Sequence, residues 1–163
     1  MTTIDPGRRL TDPVEAAQFA ADTAESAFGR YFLIQFLGLS LDYSDEEKSC
    51  TVRLPFAKHL CNAGGGVHGG ILTTVLDISM GHTCNQYLTA GSTIDMSVRF
   101  MRPVRTDSVC TGRILHGGRR IVQLESRLYD DSGRLAALAT GSWYRHDSNS
   151  YPPQSNSLTR PFL

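Results

Sequence analysis

The chain has no excess of charge of either sign: Lys plus Arg and Asp plus Glu number 16 each. No overall field draws it onto nucleic acid or an anionic membrane, and neither is expected as a partner. Long hydrophobic runs are missing too. No stretch approaches the roughly 20 apolar residues that span a bilayer. The N-terminus mixes Arg8 and Arg9 with Asp5, Asp12 and Glu15 and lacks the apolar run of a secretory signal. Cysteine is sparse: Cys50, Cys61, Cys84 and Cys110 form no Cys-x-x-Cys pair and no metal-type cluster. Reduced thiols in a reducing compartment follow, and a cytoplasmic location is expected, with a mitochondrial one as the alternative. No Gly-x-Ser-x-Gly elbow supports Ser-His-Asp chemistry, and no P-loop or Rossmann pattern holds a nucleotide. His68 has no second His or Cys at ligand spacing, so neither metal nor cofactor is expected.

What remains is one domain's worth of chain, 163 residues with 40% hydrophobic and 20% charged. Residues 1–12 are polar, with Pro6 and Gly7, and residues 147–163 are rich in Ser, Asn, Pro and Gln. Both ends are expected to be loose, flanking a single domain over 13–146. Asp12-Pro13 and the Ala-rich segment after it predict a helix to about Phe28, with Asp12 as N-cap and Gly29 as stop. From Gly38 the period changes to two. Leu39, Leu41 and Tyr43, then Cys50, Val52 and Leu54, predict a hairpin about the acidic turn Asp45-Glu46-Glu47. Residues 70–88 have the length and spacing of a helix. Beyond Gly91, turns at Arg105-Thr106-Asp107, Gly117-Gly118 and Asp131-Ser132-Gly133 divide the chain into four strands, with Ile94, Met96, Val98 and Phe100 on one face. The order helix, two strands, helix, four strands predicts an α+β domain with one antiparallel sheet.

Between Gly69 and Ala90 the only permanently charged residue is Asp77. A helix this poor in charge must be buried around most of its circumference, and a curved sheet wrapped about it meets that demand. At 100° per residue, Ile71, Leu72, Val75, Leu76, Ile78 and Met80 form a broad apolar arc. Gly70, Thr74, Asp77 and Gly81 form a narrow stripe opposite. A solvent-facing Asp is one reading of that stripe. A solvated stripe, however, carries several charges, whereas Gly and Thr around one carboxylate suit a backbone or ligand approaching closely. Such a carboxylate could attack a carbonyl or take a proton from water.

Asn62-Ala-Gly-Gly-Gly-Val-His68-Gly69-Gly70 runs into the start of this helix, where unsatisfied amides and the helix dipole suit an oxyanion. With no side chains at 69 and 70, the Gly69 amide is a candidate donor to an incoming carbonyl oxygen. Gly64 to Gly66 read equally as a flexible connector. His68 reads first as a structural hydrogen-bonder and second as a general base.

Taken together, Asn62-x-x-Gly65-x-Val67-His68-Gly69-Gly70, Asp77 nine positions after the His, Gly91-x-Thr93-x-Asp95 and Phe100-Met101-Arg102-Pro103 resemble the hotdog-fold acyl-CoA thioesterases of the phenylacetate-degradation type, over about residues 38–146. The resemblance implies a sheet wrapped around a central helix. It implies a homodimer, usually paired into a homotetramer, with active sites at the subunit interface: Asp77 from one chain, the Asn62–Gly69 loop from the other. By the same resemblance Asp77 is nucleophile or general base, the Gly69 amide the oxyanion donor, Asn62 the residue orienting water or substrate, Thr93 a hydroxyl that places the water, and His68 the support of the loop. Gly70 and Met80 fall in the substrate site, and Arg102, Gly118, Arg119 and Arg120 where CoA phosphates lie; a solvated turn explains these arginines equally well. Ala63, Gly64 and Gly66 depart from the family's commoner residues, so the loop is expected to be more mobile than usual. A non-catalytic acyl-CoA or small-ligand binder on the same scaffold is the alternative. A hydratase is disfavoured, since its Asp-His or His-Glu pair is not found.

Overall fold

The computed structural model describes residues 11–146. The two chain ends expected to be loose lie outside the described residues, save Thr11 and Asp12. Helix α1, Pro13–Thr23, begins as predicted: Asp12 is extended, and its carboxylate accepts from the N–H of Val14 at 2.7 Å and of Glu15 at 3.1 Å. It ends earlier than the predicted Phe28. Ala24 is already extended, and the chain turns back through Glu25 N–H to Arg30 O and Arg30 N–H to Ala27 O, with Gly29 at φ 97°. The turn lays the Phe28 ring on the His82 ring, centroids 4.0 Å apart. That tertiary stacking ends the helix where composition alone would continue it. A second short helix, α2 (Phe32–Phe36), follows and was not predicted.

The predicted strands are all present: β1 (Ser40–Ser44), β2 (Ser49–Leu54), β3 (Gly91–Phe100), β4 (Ser108–Gly117), β5 (Ile121–Asp130) and β6 (Leu135–Arg145). They form one antiparallel sheet in the order β1-β2-β4-β5-β6-β3. Helix α3, Gly69–Tyr87, packs against β2 through β6, giving the α+β hotdog arrangement. The inner face of the sheet supplies Cys50, Val52, Leu54, Cys110, Val122, Leu124, Leu128, Ala137, Ala139 and Trp143, all buried. Leu72, Val75, Leu76, Ile78 and Met80 meet them from the predicted arc, whereas Asp77 and its stripe stay on the less buried side.

The helix approaches the sheet closely at Gly112, where an added methyl would lie 2.4 Å from the Ser79 carbonyl oxygen. Thr83 sits at the same crossing: its hydroxyl accepts from Cys50 N–H at 3.1 Å and lies 2.8 Å from Ser79 O and 3.1 Å from Gly112 O. Beside it the Ser79 and Ser126 hydroxyls pair at 2.7 Å. These buried polar groups are satisfied by one another, which fixes the rotation of α3 and therefore where Asp77 points.

Candidate functional site

Asp77 is aimed by α3 toward β3, and β3 answers it through an irregularity. Thr93 pairs with Trp143 and Asp95 with Ser142, so Ile94 is an extra residue without a partner. The β6 residues opposite Met96, Val98 and Phe100 are Gly141, Ala139 and Ala137, all buried on the inner face, as is Trp143. The bulge therefore puts Thr93 on the inner face along with the Met96 to Phe100 set, whereas strict alternation would turn it outward. There its Oγ1 donates to Asp77 Oδ1 at 2.9 Å. Burial raises the Asp77 pKa above the usual 3.8 and the Thr93 hydrogen bond pulls it partly back. A half-buried carboxylate of raised basicity, held in one rotamer, can take a proton or attack a carbonyl carbon.

Tyr31, at the start of α2, belongs to the same neighbourhood and was not foreseen from sequence. Burial first, and the charge of Asp77 second, push its phenol up to about 12. Nothing in periodicity marks it, because only the fold brings Tyr31 near Asp77.

The glycine segment is a closed turn. Asn62 N–H donates to Gly66 O at 2.8 Å, Gly65 N–H to Asn62 O at 3.0 Å, and Gly64 N–H to Asn62 Oδ1 at 2.9 Å. Gly65 takes φ 75°, a conformation that suits glycine. Val67 N–H reaches Val104 O and His68 N–H reaches Leu60 O, both at 2.8 Å. The loop expected to be mobile is thus tied at both ends. His68 caps α3, its Nδ1 accepting from Gly70 N–H at 2.9 Å. This matches the structural reading of His68 and occupies the Gly70 amide. Among the described residues nothing accepts from the Gly69 N–H, and the Phe100 ring edge stands 3.4 Å from where a Gly69 side chain would begin.

Asp77 and Gly69 lie eight positions apart on one helix, roughly 12 Å along its axis at 1.5 Å per residue. Within one chain they cannot reach the same carbonyl. The four residues expected to meet CoA are also divided. Arg102 precedes β4, with its Nε donating to Leu135 O at 3.1 Å, whereas Gly118, Arg119 and Arg120 follow it. The ten residues of β4 span roughly 33 Å, so one chain does not gather these groups into one phosphate site. The 118–120 turn lies at the Thr93 end of the sheet and Arg102 at the Gly69 end. Gly118 is required there for space, since an added methyl would lie 2.3 Å from Ile121 O. Met80 has no exposed surface and belongs to the core.

The model of the Thioesterase superfamily matches residues 64–137, the span that holds the Gly69 amide, Asp77 and Thr93. A candidate esterase of Halobacterium salinarum is 34% identical over 113 residues, covering 61% of this chain and 74% of its own. Among solved structures, the Escherichia coli PaaI protein from the phenylacetic acid degradation operon superposes with a TM-score of 0.70 at 19% identity, covering 81% of this chain and 96% of that one. A Bacillus halodurans protein solved with CoA superposes with a TM-score of 0.62 at 29% identity, covering 69% and 74%. With that match over residues 64–137 and a relative 34% identical of which the chain covers 74%, the chain belongs to the thioesterase superfamily.

Proposed function

We propose that the protein hydrolyses acyl-CoA thioesters at a site shared between two subunits. The observation that carries the proposal is the half-buried Asp77 carboxylate, raised in basicity by burial and oriented by Thr93 at 2.9 Å. The thioester carbonyl lies against the start of α3 of the partner subunit, its oxygen accepting from the Gly69 amide there. Asp77 attacks the carbonyl carbon, or takes a proton from a water that does so. The C–S bond breaks and CoA leaves as thiolate. Where water attacked, Asp77 passes the proton it took to the thiolate and the acid is released directly. Where Asp77 attacked, a water cleaves the acyl-Asp77 anhydride, which releases the acid, restores Asp77 and supplies the thiolate's proton. The oxyanion donor and the carboxylate act on one carbon from two chains, a reading supported by the roughly 12 Å between them along one helix.

Asn62 orients water or substrate with its amide N–H groups, since its Oδ1 is engaged by Gly64 N–H. His68 holds the turn, and Gly70 leaves the substrate site open. Arg119 and Arg120, beside Gly118, meet the CoA phosphates; Arg102 meets them from the other subunit. The solved relative with CoA supports this ligand class. Strand β3 is an edge strand, ten residues long, with Ile94 54% exposed and Phe100 52% exposed, and Met101 is exposed just after it. A long apolar edge needs a cover, and a second β3 is the occupant that also brings Gly69 to Asp77. Two such dimers make the tetramer.

Thiol release measured over a panel of acyl-CoAs tests the proposal. Hydrolysis of at least one member is expected; saturable binding with no release of CoA across the panel would favour a binding protein instead. The role of Thr93 has its own signature. Its hydroxyl favours the ionised carboxylate, so Thr93→Val raises the Asp77 pKa further and moves the acid limb of the kcat/KM profile to higher pH. A limb that stays in place or moves down removes Thr93 from the site.

A further inference from the structure

Arg105 is exposed and forms no ion pair among the described residues. Its Nη2 donates instead to the Gly64 carbonyl oxygen at 3.2 Å, across 41 positions of chain. The two residues before it rest on the same glycine turn. Val104 O accepts from Val67 N–H at 2.8 Å, and a side chain at Gly66 would begin 3.3 Å from Pro103 Cβ and 3.4 Å from Val104 O. Gly65 N–H bonds to Asn62 O, so Ala63 and Gly64 are the central pair of the turn. Pro103 and Val104 thus support its trailing side, and Arg105 reaches its middle.

Both polar groups of Gly64 are engaged: the carbonyl by Arg105, and the N–H by Asn62 Oδ1 at 2.9 Å. The second bond fixes one end of the Asn62 carboxamide, and with it the direction of the two N–H donors at the other end. Little else holds Gly64 in place. Ala63 to Gly66 carry no side chain larger than a methyl, and a Cβ at Gly65 would meet nothing within 4 Å. Glycine has more backbone freedom to lose than any other residue, so one bond at Gly64 restrains a great deal. Among the described residues, Arg105 is the one side chain from outside residues 62–66 that hydrogen-bonds to them.

We infer that Arg105 is a positioning residue: through Gly64 it sets the Asn62 amide, and so the water or carbonyl which that amide orients. The inference rests on the acyl-CoA reading above, in which Asn62 takes that part. An arginine that met CoA phosphates would act on the far end of the same substrate, and experiment separates the two roles.

Thiol release is measured for the wild type, Arg105→Ala, Asn62→Ala and the double variant. The substrates are one hydrolysed acyl-CoA and the same acyl group carried by pantetheine, which has no phosphate. Arg105→Ala is expected to lower kcat/KM about tenfold on both, the scale of one lost charged hydrogen bond. On the acyl-CoA the loss falls in kcat, with KM changing by less than about twofold. Where Asn62 is already alanine, the same substitution costs less than about twofold, because its effect passes through Asn62. A loss confined to the CoA thioester and carried by KM assigns Arg105 to the phosphates and overturns the inference. So does a full tenfold loss in the Asn62→Ala background, or an unchanged rate for Arg105→Ala alone. If Asn62→Ala is too slow to assay, or the pantetheine thioester is not hydrolysed, the division between kcat and KM on the acyl-CoA decides. In each of these cases release by the wild type leaves the thioesterase reading standing. Absence of release from every acyl-CoA removes both.

Discussion

Asp77→Asn lowers kcat/KM for thioester hydrolysis by about three orders of magnitude, the scale of losing a main catalytic carboxylate, and leaves the melting temperature unchanged or higher. The two halves of this result have one cause. Folding takes the carboxylate partly out of water, which raises its pKa above the usual value. The folded state thus holds the Asp77 proton more tightly than the unfolded chain does. The associated stability is fully present below the ordinary pKa of 3.8 and is lost as pH rises through the raised folded value. At neutral pH the charged group is a burden on the fold. Asparagine removes the charge while keeping Oδ1 to accept from Thr93, so the geometry persists and the chemistry does not. Steady-state rates and thermal unfolding at pH 7 check both halves. Near-normal rates across all hydrolysed acyl-CoAs would exclude Asp77 as the reacting group. A large fall in melting temperature would recast it as a structural residue.

Gly112→Ala destabilises the protein by about 3 kcal/mol, at the upper end of what overpacking costs. The new methyl would stand 2.4 Å from the Ser79 carbonyl oxygen, 2.6 Å from its carbonyl carbon and 2.8 Å from Thr83 Oγ1. Two of these are backbone atoms and cannot rotate away. The helix must lift from β4, which stretches the Thr83 bonds to Cys50 and Gly112 and the Ser79–Ser126 pair, all of them buried. At about 2–4 °C per kcal/mol for a chain of this size, the melting temperature falls by roughly 10 °C. Ser79 lies two positions beyond Asp77, so residual folded protein should also hydrolyse poorly. Thermal unfolding followed by circular dichroism measures the shift, and a fall of under about 2 °C would mean that α3 does not bear on the strand at this point.

Much of the architecture is legible in the sequence because two signals there are strong. The turns at Asp45–Glu47, Arg105–Asp107, Gly117–Gly118 and Asp131–Gly133 separate strands whose alternation is clear, and the scarcity of charge between Gly69 and Ala90 announces a sheathed helix. The stripe containing Asp77 is legible for the same reason. The end of α1 is not, since Phe28 leaves the helix to stack on His82, a residue that no local window contains. Tyr31 and His82 escape notice likewise: each looks like an ordinary half-apolar residue until the fold brings the first near Asp77 and lays Phe28 on the second. Thr93 entered through resemblance alone, because the alternation of Ile94, Met96, Val98 and Phe100 assigns it to the outer face. The correction comes from far along the chain. Gly141 on β6 lacks the side chain that would meet the Asp95 carbonyl oxygen at 2.6 Å, and so it accommodates the bulge.

That unpaired Ile94 is surplus to the register on either side of it. From Asp95 to Phe100 the ladder with β6 runs without interruption, and Met96 and Val98, half-buried against the core, take their places from that ladder. Removing Ile94 would leave those pairings in register and move Thr93 into the place beside Asp95, still opposite Trp143 and still facing α3. A descendant of this chain could shed the surplus residue and keep both its sheet and the inward hydroxyl that meets Asp77. Within such a lineage, site and shape would come through the loss of a single codon together.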